Sequence, residues 1–305
     1  MTAALLALDW GTTSLRAYRL AADGTVLDRR SGSQGIQNVP NAAFAAALEA
    51  VVGDWWAEEP GLPAIAAGMI GSRQGWREVP YVACPAGPES LAGALLPIAL
   101  GDGRTLHLAG GLSCVDAHNI PDVMRGEETQ ILGAIPPGGS GVLVLPGTHS
   151  KWARVEQGRV TRFATFMTGE VYGLLAGHSI LAHGIDRDAP FQPERFEQGV
   201  RAGIETGAGL LHTAFGVRAS GLFGRLDGAG AASYLSGLVI GTEIAGVEAA
   251  GLKGDGTPIV IANADLTARY LDAFRAAGFE GVAGPDEAAA RGLHRLALAA
   301  GLMRE

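Results

Sequence analysis

Leu5-Leu6-Ala7-Leu8-Asp9-Trp10-Gly11-Thr12-Thr13-Ser14-Leu15-Arg16-Ala17-Tyr18 and Val142-Leu143-Val144-Leu145-Pro146-Gly147-Thr148-His149-Ser150-Lys151-Trp152-Ala153 read as two copies of one hairpin. Each is a short apolar strand, then Gly-Thr-x-Ser, then a second strand of alternating character. Each turns again at a glycine, Gly24 or Gly158, into a third strand. Glycine lets backbone amides approach an anion closely, and the neighbouring hydroxyls add donors. Two such turns facing each other would clamp a polyphosphate from both sides.

The rest of the chain fits two α/β domains. Its 305 residues are enough for two cores, and 48% apolar with only 6% aromatic residues describes a globular protein. A net charge of −8 argues against a broad nucleic-acid interface. Cys84 and Cys114 offer neither metal spacing nor a disulfide framework, which fits a reducing, cytoplasmic setting. The apolar stretch from Ala231 to Leu252 carries Glu243 and Glu248 and reads as a buried helix, not a membrane span. No basic segment precedes the first apolar run, so the N-terminus reads as a strand and not a signal peptide.

Alternation predicts strands near 4–9, 14–20 and 25–31, then a helix from Ala42 to about Ala57. Short buried strands follow at 63–68 and 106–109, separated by Pro/Gly-rich loop with one short helix. A helix starts at Glu127 and is stopped by Pro136-Pro137-Gly138-Gly139, which marks the domain boundary. This gives domains 1–136 and 137–305, with the last helix free to pack back on the first. The second half repeats the plan: strands at 142–146, 151–155 and 159–166, and helices near 170–183, 194–213 and 232–250. A strand at 258–262 and helices at 265–277 and 286–300 complete it.

Asp9, ending a buried strand before an anion-binding turn, can hold a hydrated Mg²⁺ near phosphates; an ordinary β-turn would use the same residues. Pro146 stands where the second copy would carry that acid. The second clamp is then made of the amides and hydroxyls of Gly147, Thr148 and Ser150, with Lys151; the bland alternative leaves Lys151 in solvent. His149 reads first as a turn residue. In Arg125-Gly126-Glu127-Glu128-Thr129 two acids occupy a helix's first turn. The macrodipole alone would favour them there. A carboxylate in that place can also take a proton from a sugar hydroxyl as it attacks a γ-phosphate.

These motifs resemble the actin/hexokinase/heat-shock-chaperone ATPase superfamily, whose two ribonuclease-H-like domains enclose a nucleotide cleft. Within it, Met124 to Gln130, Pro146 to Trp152 and Met167-Thr168-Gly169-Glu170 resemble the 2-dehydro-3-deoxygalactonokinase family, as do Leu235 to Gly241 and Leu266 to Tyr270. The resemblance implies ATP-dependent phosphorylation of the 6-hydroxyl of 2-dehydro-3-deoxy-D-galactonate in galactonate catabolism. It implies ATP and Mg²⁺ as cofactors and Asp9, Gly11, Thr12 and Thr13 as the first phosphate motif. It implies Glu127 as the base, with Glu128 as the alternate, and Gly147 to Ser150 as the second phosphate motif. Asn263 and Thr267 are the candidates for base and ribose contacts. Ser72, Arg73, Trp76 and Arg125 are the substrate candidates: donors, a flat wall and a partner for a carboxylate. No nucleic-acid or membrane partner is expected, and a homodimer stays open. The alternatives are a kinase for another sugar acid, or a non-kinase ATPase or phosphatase of the same fold.

Overall fold

The computed structural model describes residues 2–101 and 103–303. The chain forms two compact units: Met1–Ser140 with Val155–Arg162 and Pro285–Glu305, and Gly141–Arg154 with Phe163–Gly284. They are therefore not the two continuous spans 1–136 and 137–305. The tip of the second hairpin and the C-terminal helix group with unit 1.

Unit 1 opens with strands β1 (Leu5–Trp10), β2 (Leu15–Leu20) and β3 (Val26–Gly32), paired antiparallel so that Asp9 stands opposite Arg16. Helix α1 (Phe44–Glu58) begins two residues later than its periodicity suggests, because Asn41 and Ala42 adopt positive φ and delay it. Then come β4 (Ala64–Ala67), β5 (Val82–Ala83), α2 (Pro88–Ala92), β6 (Leu96–Ala99) and β7 (Thr105–Leu108). Strands β8 (Leu112–Val115) and β9 (Pro121–Met124) precede α3 (Glu127–Ala134). The main sheet runs β3-β2-β1-β4-β7-β6, with β1, β4 and β7 parallel. Buried on both faces, β4 and, Asp9 apart, β1 read as apolar runs.

Unit 2 contains β10 (Gly141–Leu145), β11 (Ser150–Glu156), β12 (Arg159–Phe166), α4 (Thr168–His178), α5 (Pro193–Glu205), α6 (Gly209–Leu222) and α7 (Gly228–Ala249). Then follow β13 (Ile259–Val260), α8 (Ala264–Ala276) and β14 (Val282–Ala283); α9 (Ala288–Ala299) returns to unit 1. Its sheet order, β12-β11-β10-β13-β14, repeats the third-second-first-fourth order with which the sheet of unit 1 begins. The repeated hairpin is thus one edge of a repeated sheet.

The structure differs from these expectations at four places. The Pro/Gly-rich region before residue 106 is more ordered than a loop: β6, with Pro97 inside it, is an edge strand, the place where a sheet tolerates proline. Strands β5, β8 and β9 form a small third sheet, and β14 is an added edge strand; all are too short for a periodic signal. The helix expected at 194–213 is two helices, α5 and α6, broken at Thr206-Gly207-Ala208 before the positive φ of Gly209. The helix expected at 170–183 ends at His178, where Ser179 Oγ accepts the amide of Leu181 and starts a 3₁₀ turn.

Each unit has its own core. Leu6, Leu8, Trp10, Leu48 and Trp55 lie in that of unit 1, and Val144, Trp152, Phe196, Leu238 and Phe274 in that of unit 2. Helix α7 is long and apolar enough to cross a membrane by length and composition, yet most of it is buried inside unit 2. It meets α5 backbone to backbone: a Cβ on Gly237 would lie 2.0 Å from Phe196 O, and one on Gly241 2.2 Å from Val200 O.

Candidate functional site

In unit 1 the candidate residues collect at the carboxyl ends of the parallel strands, where open α/β sheets bind ligands. The Gly11 turn follows β1, Met69–Ser72 follows β4, and α3 starts beside them. Two glycines permit this convergence. Gly68 (φ 95°) lies so close to β1 that a Cβ would stand 2.7 Å from Trp10 O. Gly126 (φ 104°) lies against Gly68: a Cβ on it would stand 3.3 Å from Gly68 Cα. An L side chain is strained at either φ and would push the strand ends apart.

The Gly11 turn is held by its carbonyls. Gly11 O accepts the Ile36 amide at 3.0 Å, Thr12 O that of Gln37 at 3.1 Å, and Thr13 O the side chain of Asn38 at 3.1 Å. Thr13 is exposed, and Gly11 and Thr12 are half-buried. Trp10 anchors the turn from below, its Nε1 donating to Gln34 O at 2.7 Å.

Asp9 is buried, and its Oδ2, 3.2 Å from Arg16 Nη2, makes no hydrogen bond among the described residues. Burial raises its pKa; Arg16 opposes this, and the nearby charge of Glu127 adds to it. Such an orphaned carboxylate oxygen suits Mg²⁺, which binds through one or two carboxylates and completes its sphere with water and phosphate. Among the described residues no group of three or more His, Cys, Asp and Glu converges as an all-protein metal cage.

The two acids of α3 are not equivalent. Glu127 is half-buried, and its Oε2 accepts the Arg125 amide at 3.1 Å. Glu128 is fully buried; its Oε2 accepts the Gly126 amide at 2.6 Å, while Oε1 finds no partner. Burial first, and the charge of Glu127 second, push Glu128 up to about 8. The folded state therefore keeps a proton that the unfolded chain releases near pH 4.5. Stability falls as pH rises from there to about 8. Glu128→Gln is expected to flatten that decline. Thermal midpoints at pH 5 and pH 8 check it, and an unchanged slope would refute the burial argument.

Among the substrate candidates, Ser72 is buried with an unpartnered Oγ. Arg125 lies against Gly71, donates from Nη2 to Val79 O at 2.7 Å and stacks over Tyr81 at 4.4 Å. Its Nε and Nη1 are buried without a hydrogen bond. Arg73 instead is exposed and 3.6 Å from Glu78, so the structure does not gather it with the other two. Trp76 stacks on Phe44, with ring centroids 6.2 Å apart, which commits one face to the core.

In unit 2 the Gly147 turn follows β10, and Gly147 and Thr148 are exposed. Here the expected donors divide. Ser150 is wholly buried, and its Oγ donates inward to Glu243 at 2.7 Å, so its hydroxyl is not on the turn's outer face. Lys151 does not point to solvent: it is buried, with Nζ 3.2 Å from His149 O, so its ammonium stays at the turn. Position in a strand decides both, since residues just after the turn have already entered β11. The Met167–Glu170 motif also finds its place. A Cβ on Gly169 would lie 2.4 Å from Gly147 O, Glu170 N donates to Thr148 O at 3.0 Å, and Glu170 Oε2 is 2.5 Å from His149 Nε2. The N-terminus of α4 thus abuts the turn, and helix N-termini favour negative charge. Asn263 caps α8, its Oδ1 accepting the Leu266 amide at 2.9 Å, and Thr267 Oγ1 donates to Ala262 O. Both stand after β13, next to β10 in the sheet. Glu243, which sequence spacing does not single out, lies beneath the turn; an acid inside an apolar helix was its only signal.

A repeated sheet with a phosphate-type turn after each first strand defines the actin-like ATPase fold. The activator of the 2-hydroxyisocaproyl-CoA dehydratase from Clostridium difficile, solved with bound ADPNP, shares it: TM-score 0.50 at 12% identity, over 97% of this chain and 93% of that one. Within that class the profile of the 2-keto-3-deoxy-galactonokinase family matches residues 9–296, and the chain belongs to this family. It is 36% identical over 278 residues to the 2-dehydro-3-deoxygalactonokinase of Escherichia coli (strain K12), covering 91% of each chain. A crystal structure from Sinorhizobium meliloti, described as a 2-dehydro-3-deoxygalactonokinase protein, superposes with a TM-score of 0.83 at 36% identity, over 97% and 98% of the two chains. The protein is accordingly an enzyme, a sugar-acid kinase.

Proposed function

We propose that this kinase transfers the γ-phosphoryl group of ATP to the 6-hydroxyl of 2-dehydro-3-deoxy-D-galactonate, in cytoplasmic galactonate catabolism. The observation that carries the reading is the unequal carboxylate pair at the start of α3. Glu128, at about 8, keeps its proton at neutral pH and is a poor base. Glu127, half-buried in the same turn and close enough to influence Asp9, takes the proton of the substrate hydroxyl as oxygen attacks phosphorus. The bond to the bridging oxygen breaks, and ADP leaves with that electron pair.

Gly11, Thr12 and Thr13 bind phosphate oxygens in unit 1, and Gly147 and Thr148 do so in unit 2. Lys151 adds charge from beneath its turn. Asp9 would hold Mg²⁺, which would neutralise phosphate charge when bound. Asn263 and Thr267 take the base and ribose. Ser72 and Arg125 receive the sugar acid with Trp76 as a wall, and Arg73 contributes at the periphery. The unsatisfied Oγ, Nε and Nη1 atoms support Ser72 and Arg125, since unpaired buried donors await an acceptor.

Coupled measurement of ATP consumption across a panel of 2-keto-3-deoxy sugar acids and aldonates tests the substrate. The galacto compound should be turned over best, and equal or better turnover of another acid would reassign it. Asp9→Asn should lower Mg²⁺-dependent turnover by about 10–100-fold, the usual effect of losing a metal's outer partner. A Mg²⁺ titration identical to wild type would remove Asp9 from this role.

A further inference from the structure

The mechanism so far leaves one buried ionisable group unused. Glu243 sits within α7, is 2% exposed and is the buried acid of that largely apolar helix. Its carboxyl accepts four hydrogen bonds: from Ser150 Oγ at 2.7 Å, Trp152 Nε1 at 2.6 Å, Tyr270 OH at 2.8 Å and Thr168 Oγ1. Burial raises its pKa, and the four bonds oppose that rise. A buried carboxyl is costly, and one held by four donors from three separate elements is a built feature.

The donors share a second property. Ser150 and Trp152 are the strand leaving the Gly147 turn, and Thr168 is the first residue of α4, whose next two residues touch that turn. Tyr270 lies on α8, which starts directly after β13, the strand beside β10. One carboxyl therefore fastens the strand after the turn to the helix in front of it. We propose that Glu243 is a positioning residue for the nucleotide phosphates, holding the Gly147–His149 turn against the N-terminus of α4 so that its amides meet the phosphates pre-organised. This rests on the reading of that turn as an ATP-phosphate site. Pre-organised donors are effective because they need no rearrangement when charge arrives.

The test uses the full chain and separates phosphate recognition from folding. Glu243→Gln and Tyr270→Phe should weaken ADP and ATP by about tenfold, while adenosine inhibition and the KM for the sugar acid move by less than about twofold. Folded variants that keep wild-type ADP affinity, or that lose ADP and adenosine alike, would overturn the inference. Should Glu243→Gln not fold, Tyr270→Phe and Thr168→Val each still delete one of the four hydrogen bonds to Glu243, the former with the weaker bond from Tyr270 OH to Ser150 Oγ at 3.3 Å. Failure of all three to fold would make Glu243 a structural brace only. If the wild-type protein itself showed no ADP affinity, the phosphate reading of the turn would be the part that fails.

Discussion

Glu127→Gln lowers kcat by about 10²–10⁴-fold and leaves ATP affinity essentially unchanged. The substitution keeps an acceptor for the Arg125 amide, so the first turn of α3 should hold its shape. What it removes is the capacity to take a proton. Phosphoryl transfer draws most of its acceleration from positioning and charge neutralisation, which survive, so a measurable residue of activity should remain. Glu128 cannot substitute efficiently: its free Oε1 is buried and its proton stays bound up to about pH 8. Near-normal turnover of Glu127→Gln, with ATP binding checked by calorimetry, would remove Glu127 from the chemistry. A comparable collapse in Glu128→Gln would point instead to the buried acid.

The second large effect is structural and acts at the other side of the same helix. Helices α3 and α9 approach most closely at two glycines. A Cβ on Gly292 would lie 1.7 Å from Thr129 O, and one on Gly133 would lie 1.8 Å from Ala288 O. Both obstacles are backbone, so no rotamer change relieves them. Gly292→Ala should cost about 3 kcal/mol, at the upper end of overpacking. At roughly 2–4 °C per kcal/mol for a chain of this order of size, the thermal midpoint should drop by about 6–12 °C. Turnover should fall with it, because Thr129 is two residues from Glu127 and α3 must move to accept the methyl group. Gly61→Ala is the control, since open space surrounds it. A midpoint for Gly292→Ala within about 0.5 °C of that control would refute the close crossing of α3 and α9.

Residues close in sequence carried most of the legible information. Asp9 before Gly11, the Gly-Thr-x-Ser turns and the acids after Gly126 are local patterns, and each stands where its neighbours in the chain suggest. Short edge strands such as β6 and β14 were illegible, since two to four residues show no period. The α5–α6 break was hidden because apolar spacing continues across Thr206-Gly207-Ala208.

The repeat of hairpin and sheet, the family and the placement of one acid in only one of two turns follow from the order of residues alone. Backbone geometry and side-chain alternation are short-range properties, and a chain displays them before it folds. Which member of each local pair does the chemistry is decided by burial, which depends on what folds over it. Packing desolvates Glu128 and leaves Glu127 at the surface of its turn; it turns Ser150 inward and keeps Lys151 beneath the turn. Only the folded chain brings Glu243 to Ser150 across 93 positions of sequence. No spacing rule reaches that far, because the contact exists only once β11, α4, α7 and α8 share one core.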